Sequence, residues 1–466
     1  MSSNVFLTKW SEISGQRFDS EYFKPDILLK IKKLKNQKTS IHLKNELIEL
    51  CTGFNSEQND DFQGIKFLRT QNIKQIKLDI EQISYTDSLD VRISHIGDLL
   101  FTRIGAKVGN VSYNDIGDFA VSDNVIVARF KNNRFSKYLA ILFATDIGKS
   151  LLERGKRDTA RPIISYENIT NLWVPYLTNK KQQTIIDIIE QAYKQKQQKE
   201  NEAKKLLDSI DEYLLKELGI DLPKVDESDI SKRVFLRKWS EISGDRFDPF
   251  YNNIIYSKID NKIEKGKFNL ESIKNLSYGI SGVIYSRQDE REQGKGILRA
   301  NNITLETNEL NFNDIKYIRD DFEISEKLLL KANDILMSSA SGSKEHVGKV
   351  AFIEEELNYY FGGFMMVLRQ KNNNYLQKYL FEFLQSKIFR IYLFKNLGGT
   401  NINNLSFNMI SHLQVPLPAL LKQEEIVSHI TNIREQAKLL KQQAIDDFEK
   451  AKKEVEGMLL GEIDEI

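Results

Sequence analysis

At 466 residues the chain exceeds what one hydrophobic core ordinarily serves, so two or three domains are expected. Hydrophobic residues at 41% and charged residues at 29%, with 67 basic against 66 acidic, exclude gross disorder; the net charge of +1 neither supports nor excludes a nucleic-acid partner. No apolar run approaches the ~20 residues of a bilayer span, the first residues lack a secretory h-region, and the single Cys51 excludes a disulfide framework or a cysteine-rich zinc site, so a cytoplasmic protein is expected.

In chain order, the first feature is the phrase "VFLTKWSEISGQRFD" from Val5, which returns from Val234 as "VFLRKWSEISGDRFD", identical at thirteen of fifteen positions. The repetition continues. "FLRTQNI" (67–73) pairs with "ILRANNI" (297–303), and "GDLLFTRIGAKVGNV" (97–111) with "NDILMSSASGSKEHVGKV" (333–350). "ISYENITNLWVPYLTNKKQQTIIDII" (164–189) aligns without gaps to "LSFNMISHLQVPLPALLKQEEIVSHI" (405–430). A period of about 230 residues in constant order is a duplicated domain, since solenoid repeats run at 20–50.

Each half begins with short strands bounded by Gly, Asn and Asp: "KFLRTQNI", "DLLFTRI", "GNVSY" and "NVIVARF", then "GILRANNI", "DILMSS", "GKVAFI" and "FMMVLRQ". A helix-like stretch follows, and "WVPYL" or "QVPLPAL" then introduces a long helix. Residues 179–218 contain neither Gly nor Pro. Apolar residues step by three and four through Ile185, Ile189, Ala192, Ala203, Leu206, Ile210 and Leu214, with Lys196 and Lys199 interrupting the seam. Ile426, Ile430, Ile433, Ala437, Leu440, Ala444, Phe448, Ala451 and Val455 repeat the pattern. Forty helical residues extend ~60 Å, and an antiparallel pair would hold two globular parts at opposite ends of a rod. The polar linker with Pro223 separates the repeats.

Catalytic motifs are scarce. No Pro-Pro pair is present, so the Asn/Asp-Pro-Pro-aromatic loop of amino-methyltransferases is missing. "FGGF" (361–364) loosely resembles a Gly-rich cofactor loop but reads as strand packing, and "IGKS" (147–150) lacks the first glycine of a P-loop. His42, His95, His346, His412 and His429 make no metal spacing. The Glu-x-Lys of "ENEAKK" (200–205) falls within the long helix, where a solvated charged face is the ordinary reading.

This doubled grammar resembles the specificity subunit of type I restriction–modification systems. The residues that carry the likeness are the "GDLL" and "NDIL" elements, the "VPYLTNKKQ" and "VPLPALLKQ" lead-ins to the helices, and the "RFDSEYF" and "RFDPFY" phrases. One departure is Tyr176-Leu177 where the second copy has Leu417-Pro418, for which a local change in the helix start is expected. The resemblance implies an α+β chain with two tandem mixed α/β target recognition domains, each followed by a long helix, the helices pairing as an antiparallel coiled coil. The expected bounds are 1–178 and 234–416 for the recognition domains, 179–219 and 417–463 for the helices, and 220–233 for the linker. It implies a non-catalytic reader of a bipartite, asymmetric site in double-stranded DNA. Two modification subunits carrying S-adenosylmethionine would methylate adenine, and restriction subunits would add cleavage. No cofactor or metal is expected in this chain.

Candidate readers combine a base with an amide: Arg69, Gln71 and Asn72, and Arg299, Asn301 and Asn302. The alternative for these is a turn whose amides cap backbone groups. "RGKRDTARP" offers Arg154, Lys156, Arg157 and Arg161, or a solvated loop; the second copy has "NLGGTNINN" there, with Thr400, Asn401 and Asn403. Arg103 and Lys107 in the first half, and Ser341 and Lys344 in the second, follow the "GDLL"-type strands or are ordinary surface. The repeated phrase, with Trp10, Trp239, Phe18 and Phe247, reads as a packing element that anchors each domain to the helices and presents a seat to a modification subunit. Competing readings are a diverged methyltransferase or nuclease, a coiled-coil adaptor that binds proteins only, and the specificity subunit of a type IIB-like enzyme.

Overall fold

Alternation along two strands explains each half. The computed structural model describes residues 28–29, 32–33, 40–59, 62–105, 107–155, 162–223, 236–242, 247–248, 251–304, 307–341, 346–397 and 403–462, with backbone alone at 153–155, 241 and 403. The chain divides into one unit of residues 1–201 and 440–466 and a second of 202–439.

In the first unit, Val125–Phe130 lies antiparallel between Leu47–Thr52 and Leu99–Thr102, and the sheet continues through Val111–Tyr113 to Ile76–Lys77. Ile126, Ala128, Phe130, Leu99 and Phe101 face one way, into a core shared with the helices Asn133–Ala144 and Asp146–Gly155. Val125, Val127 and Leu100 face the other way, against Leu68, Phe119 and Val121 of a second sheet ordered Ser84–Thr86, Ile65–Leu68, Phe119–Val121, Arg92–Ser94. A period of two therefore divides one strand between two cores.

The second unit repeats this. Met365–Gln370 lies between Ser277–Ser281 and Ile335–Ser338; Met366, Leu368, Ile335 and Met337 face helices, while Met365, Val367 and Leu336 face Leu298 and Phe361 of the other sheet.

The "GD" and "ND" elements are structural. Gly97 and Asn333 hold left-handed backbone at φ 101° and 65°, residue types that tolerate it. The next residue, Asp98 or Asp334, is buried and accepts a fork of two bonds from Arg129 (2.8 and 2.8 Å) or Arg369 (2.8 and 2.6 Å). These bonds to the carboxylates push both guanidinium pKa values further up.

The long helices run Asn179–Leu218 and Leu420–Leu460. In the first unit Ile185 and Ile189 share a core with Val455 and Leu459, while Tyr193 packs on Phe448 and Lys199 pairs with Asp447. Rising numbers on one helix meet falling numbers on the other, so the pairing is antiparallel. In the second unit Ile426 and Ile430 share a core with Leu214 and Leu218, Tyr213 stacks on His429 at 4.0 Å, and Glu217 pairs with Lys422 at 2.8 Å. The lysines expected to interrupt the seam are accommodated: Lys196 lies 5.3 Å from the Phe448 ring and Lys199 reaches Asp447.

The expected change in the helix start does not occur. Both helices start 241 residues apart, at Asn179 and Leu420. Gln182 donates to the Leu177 carbonyl at 2.9 Å, and Gln423 to that of Pro418 at 2.8 Å. A carbonyl serves equally from Leu or Pro, so the missing proline changes nothing in the capping bond. Upstream, the buried Tyr138 and Tyr379 hydroxyls donate to the carbonyls of Pro175 (2.9 Å) and Pro416 (2.6 Å).

The first copy of the repeated phrase lies outside the described residues. In the second, Trp239 and Phe247 do not take the expected packing role: they touch at 5.5 Å between ring centroids yet remain 69% and 61% exposed, and the neighbouring Leu236 is 93% exposed. Arg237, one of the two residues that differ between copies, donates to the Asn252 carbonyl at 2.8 Å.

Candidate nucleic-acid interface

The site in each unit is an edge where several loops are fastened to one turn by backbone hydrogen bonds. In the first unit the turn follows Phe119–Val121. Ser122 N donates to Leu68 O (3.0 Å), Val125 N to Ser122 O (3.0 Å), and Phe54 N to Val121 O (3.1 Å). Arg103 N donates to Asn124 O, and Ile164 N to Arg103 O (3.0 Å), beside a bridge between Ile104 and Ile163. In the second unit Gly362 N donates to Leu298 O (2.9 Å), Met365 N to Gly362 O (2.8 Å), and Val283 N to Phe361 O (2.7 Å). Ser339 N donates to Phe364 O and Leu405 N to Ser339 O. The bonds match one for one, so Arg69, Arg103, Asp123 and Asn124 are equivalent to Arg299, Ser339, Gly363 and Phe364.

These equivalences agree with the ungapped alignment of "GDLLFTR" on "NDILMSS". Ser341 is the counterpart of Gly105; Arg103 corresponds to Ser339. The strand Ala340–Ser341 pairs with Asn403–Asn404, with Ser341 opposite Asn403, so the structure joins two candidates 62 residues apart. Lys107 is exposed in the loop after Leu99–Thr102, and Arg103 is half-buried with its guanidinium 3.5 Å from the Asp123 carbonyl.

The two amide turns divide by position. Asn72 and Asn302 are buried and saturated. Each accepts from the backbone N–H of its arginine at 2.9 Å. Asn72 donates to the carbonyls of Asp79 and Gln82, and Asn302 to those of Asn311 and Asp314. For these two the capping alternative holds, and neither presents its amide to a ligand. Gln71 and Asn301 are exposed on the same turns. Arg69 forms no ion pair among the described residues, whereas Arg299 is held by Asp314 at 2.9 Å, which also takes the Asn301 amide at 2.8 Å. Arg69 and Arg299 each have a buried Nε with no hydrogen-bond partner among the described residues.

Lys156, Arg157, Arg161, Lys344, Thr400 and Asn401 lie outside the described residues, as do the side chains of Arg154 and Asn403. Sequence reasoning misses Phe364. "FGGF" reads as strand packing, but only Phe361 packs; the strand ends there, and Phe364 is 74% exposed on the turn. Two adjacent glycines are the available signal for a turn.

Glu382 and Lys349 are buried titratable groups of the second unit. Burial pushes the Glu382 carboxyl up while Arg434, donating at 2.6 Å, pulls it down. Burial pushes the Lys349 ammonium down; it donates to the Ile303 carbonyl at 2.8 Å, the role Asn110 performs toward Ile73 in the first unit. Among the described residues no group of His, Cys, Asp and Glu is arranged to hold a metal ion, and no helix is long and apolar enough to cross a membrane.

Comparison with known proteins adds a family. The type I restriction modification DNA specificity domain matches residues 45–208 and 262–447, one match in each half. A putative type I restriction enzyme MjaX specificity subunit of Methanocaldococcus jannaschii is 26% identical over 40% of this chain and 43% of its own length. The type I restriction enzyme EcoKI specificity subunit of Escherichia coli is 25% identical over 33% of each chain. These matches span less than half the length of those relatives. A chain solved in a study of assembly and conformational transition of the type I R-M system has the same fold, with TM-score 0.51 at 14% identity, over 91% of this chain and 96% of that one. With both halves matched across well over half its residues, the chain belongs to the type I restriction modification DNA specificity domain family.

Proposed function

We propose that this chain is the sequence-reading subunit of a type I restriction–modification complex. Each unit reads one half of a bipartite, asymmetric site in double-stranded DNA. The observation that carries the reading is the edge built twice: equal backbone bonds hold unequal side chains, as two readers of different sequences require. Arg69, Gln71, Arg103 and Lys107 serve the first half-site, and Arg299, Asn301 and Ser341 the second. Arg154, Lys156, Arg157 and Arg161, and Lys344, Thr400, Asn401 and Asn403, add contacts from sequence that adjoins those edges. Phosphate contacts supply most of the affinity, and base-edge contacts the choice of sequence.

The chemistry lies with partners. Two modification subunits supply S-adenosylmethionine and flip the target adenine out of the stack, and restriction subunits cleave. The exposed Leu236, Trp239 and Phe247 favour a seat for a modification subunit over an internal anchor. The complex works in the cytoplasm, and the isolated chain transfers no methyl group.

The test is methylome sequencing of a host that expresses the chain with its modification subunit. A bipartite motif with unlike halves is expected. Exchange of residues 1–178 for those of another family member should change one half only; a change in both, or methylation without a motif, sinks the reading. Labelled S-adenosylmethionine and DNA incubated with the purified chain alone should give no labelled DNA.

A further inference from the structure

We infer that Phe364 and Ile284 form an apolar contact that reads one thymine of the second half-site by its 5-methyl group; this rests on the DNA-reading proposal above. Phe364 and Ile284 are 74% and 87% exposed. Ile284 borders the turn that carries Phe364: a Cβ added to Gly363, the residue before Phe364, would lie 3.1 Å from Ile284 Cγ1. The backbone under them is fixed, because Phe364 O accepts from Ser339 N at 2.9 Å and Ala340 N at 3.3 Å. Arg299 adjoins the same turn, its Cγ 3.9 Å from a Cβ placed on Gly362.

The first unit has the same turn with opposite chemistry. Where the second carries Ile284, Gly363 and Phe364, the first carries Asn55, Asp123 and Asn124, under matching backbone bonds. Side chains that change from polar to apolar on unchanged backbone mark a position that selects a ligand group. Two side chains are far too small for a protein partner, which needs about 800 Å² per side. They suit a single methyl. In the major groove thymine is the base that presents one, beside polar edges that an arginine such as Arg299 reads. The glycines at 362 and 363 keep the ridge narrow enough for close approach.

The experiment uses the complex of the full chain with its modification subunit, on duplexes that carry the mapped site. Each thymine in both half-sites is replaced in turn by deoxyuridine, which removes the methyl and keeps the pairing. One thymine in the second half-site should lose about fourfold in affinity, the worth of one buried methyl at ~0.8 kcal/mol. F364N, which installs the first unit's residue at an exposed position, should bind thymine and deoxyuridine there equally, with first-half-site discrimination unchanged. A second half-site without a methyl-sensitive thymine overturns the inference, as does methyl sensitivity that survives F364N. Sequence-specific binding without methyl sensitivity leaves the DNA-reading proposal standing; absence of sequence-specific binding removes both.

Discussion

The two reader turns differ most where their backbones agree most. Arg69 and Arg299 sit at the same place, each with its N–H on a buried asparagine at 2.9 Å. The carbonyls that hold those asparagines belong to Gln82 in one unit and Asp314 in the other. Asp314 also reaches out with its carboxylate to clasp Arg299 and Asn301; Gln82 brings no charge to Arg69. Main-chain bonds thus carry the architecture, and side chains are free to diverge without unfolding it. The same contrast recurs deeper, where the buried Glu382 and its half-buried partner Arg434 in the second unit stand in the place of Ile141 and Tyr193, which line one small crevice of the first.

That deeper difference is the one to break hardest. Arg434 compensates the buried Glu382 carboxylate, and its loss leaves that carboxylate without a partner, so R434A should cost the second unit about 3 kcal/mol, read by hydrogen exchange in the helix Gln377–Phe383. Conversion of both, E382I with R434Y, should restore most of that stability by importing the first unit's solution. Equal loss in the single and double variants would show that the two arrangements are not interchangeable. Protonation gives a second reading. Burial raises the Glu382 pKa in the folded state, so the folded chain holds that proton when the unfolded chain has lost it. Stability of the second unit should therefore be fullest below the ordinary carboxyl value of about 4.3 and fall as pH rises through the raised folded value. The double variant should lack that step.

The arginine turns give the next largest effects. R69A should weaken specific DNA binding by 1–3 kcal/mol, about 5- to 150-fold, if the guanidinium makes a bidentate base contact. R299A should cost less, because Asp314 already holds its guanidinium. D314Q carries the first unit's residue into the second. It should tighten binding and steepen the salt dependence by about 0.9 in log–log slope, one added phosphate contact. A salt titration in which D314Q weakens binding would recast Asp314 as the residue that aims Arg299.

The tyrosine–proline bonds are the constant part of the comparison. Y138F and Y379F each remove a buried donor from a proline carbonyl and should cost about 1 kcal/mol, equally in both units. Unequal losses in thermal melts would mean that the two helix junctions bear different loads.

Much of this is legible from spacing alone. The duplication, the two-period strands, and the helices with Ile185, Ile189, Ile426 and Ile430 follow from local periodicity, which the chain cannot hide. What fails depends on pairing across long separations. The strand Ala340–Ser341 pairs with Asn403–Asn404 some sixty residues downstream, a partnership that no local pattern announces. Asn72 and Asn301 look alike as letters; only the fold turns one inward to carbonyls and the other outward. Phe364 has apolar neighbours that suggest a strand, yet the parallel pairing of Tyr360–Phe361 with Ile297 and Leu298 ends the strand before it.

The smallest effect concerns the departure at the start of the long helices. Leu177 and Pro418 present the same carbonyl to the same glutamine, and both helices begin two residues later. Leu177 therefore occupies a backbone that proline already fits in the second unit. L177P should stabilise the first unit by about 0.5 kcal/mol, since proline restricts the unfolded chain and here removes no backbone bond seen among the described residues. The gain is offset in part because the Leu177 side chain packs against the first core. P418L should cost the second unit a similar amount. A destabilising L177P, measured by urea denaturation with an unchanged slope, would show that the two helix starts differ in backbone in spite of their shared glutamine bond.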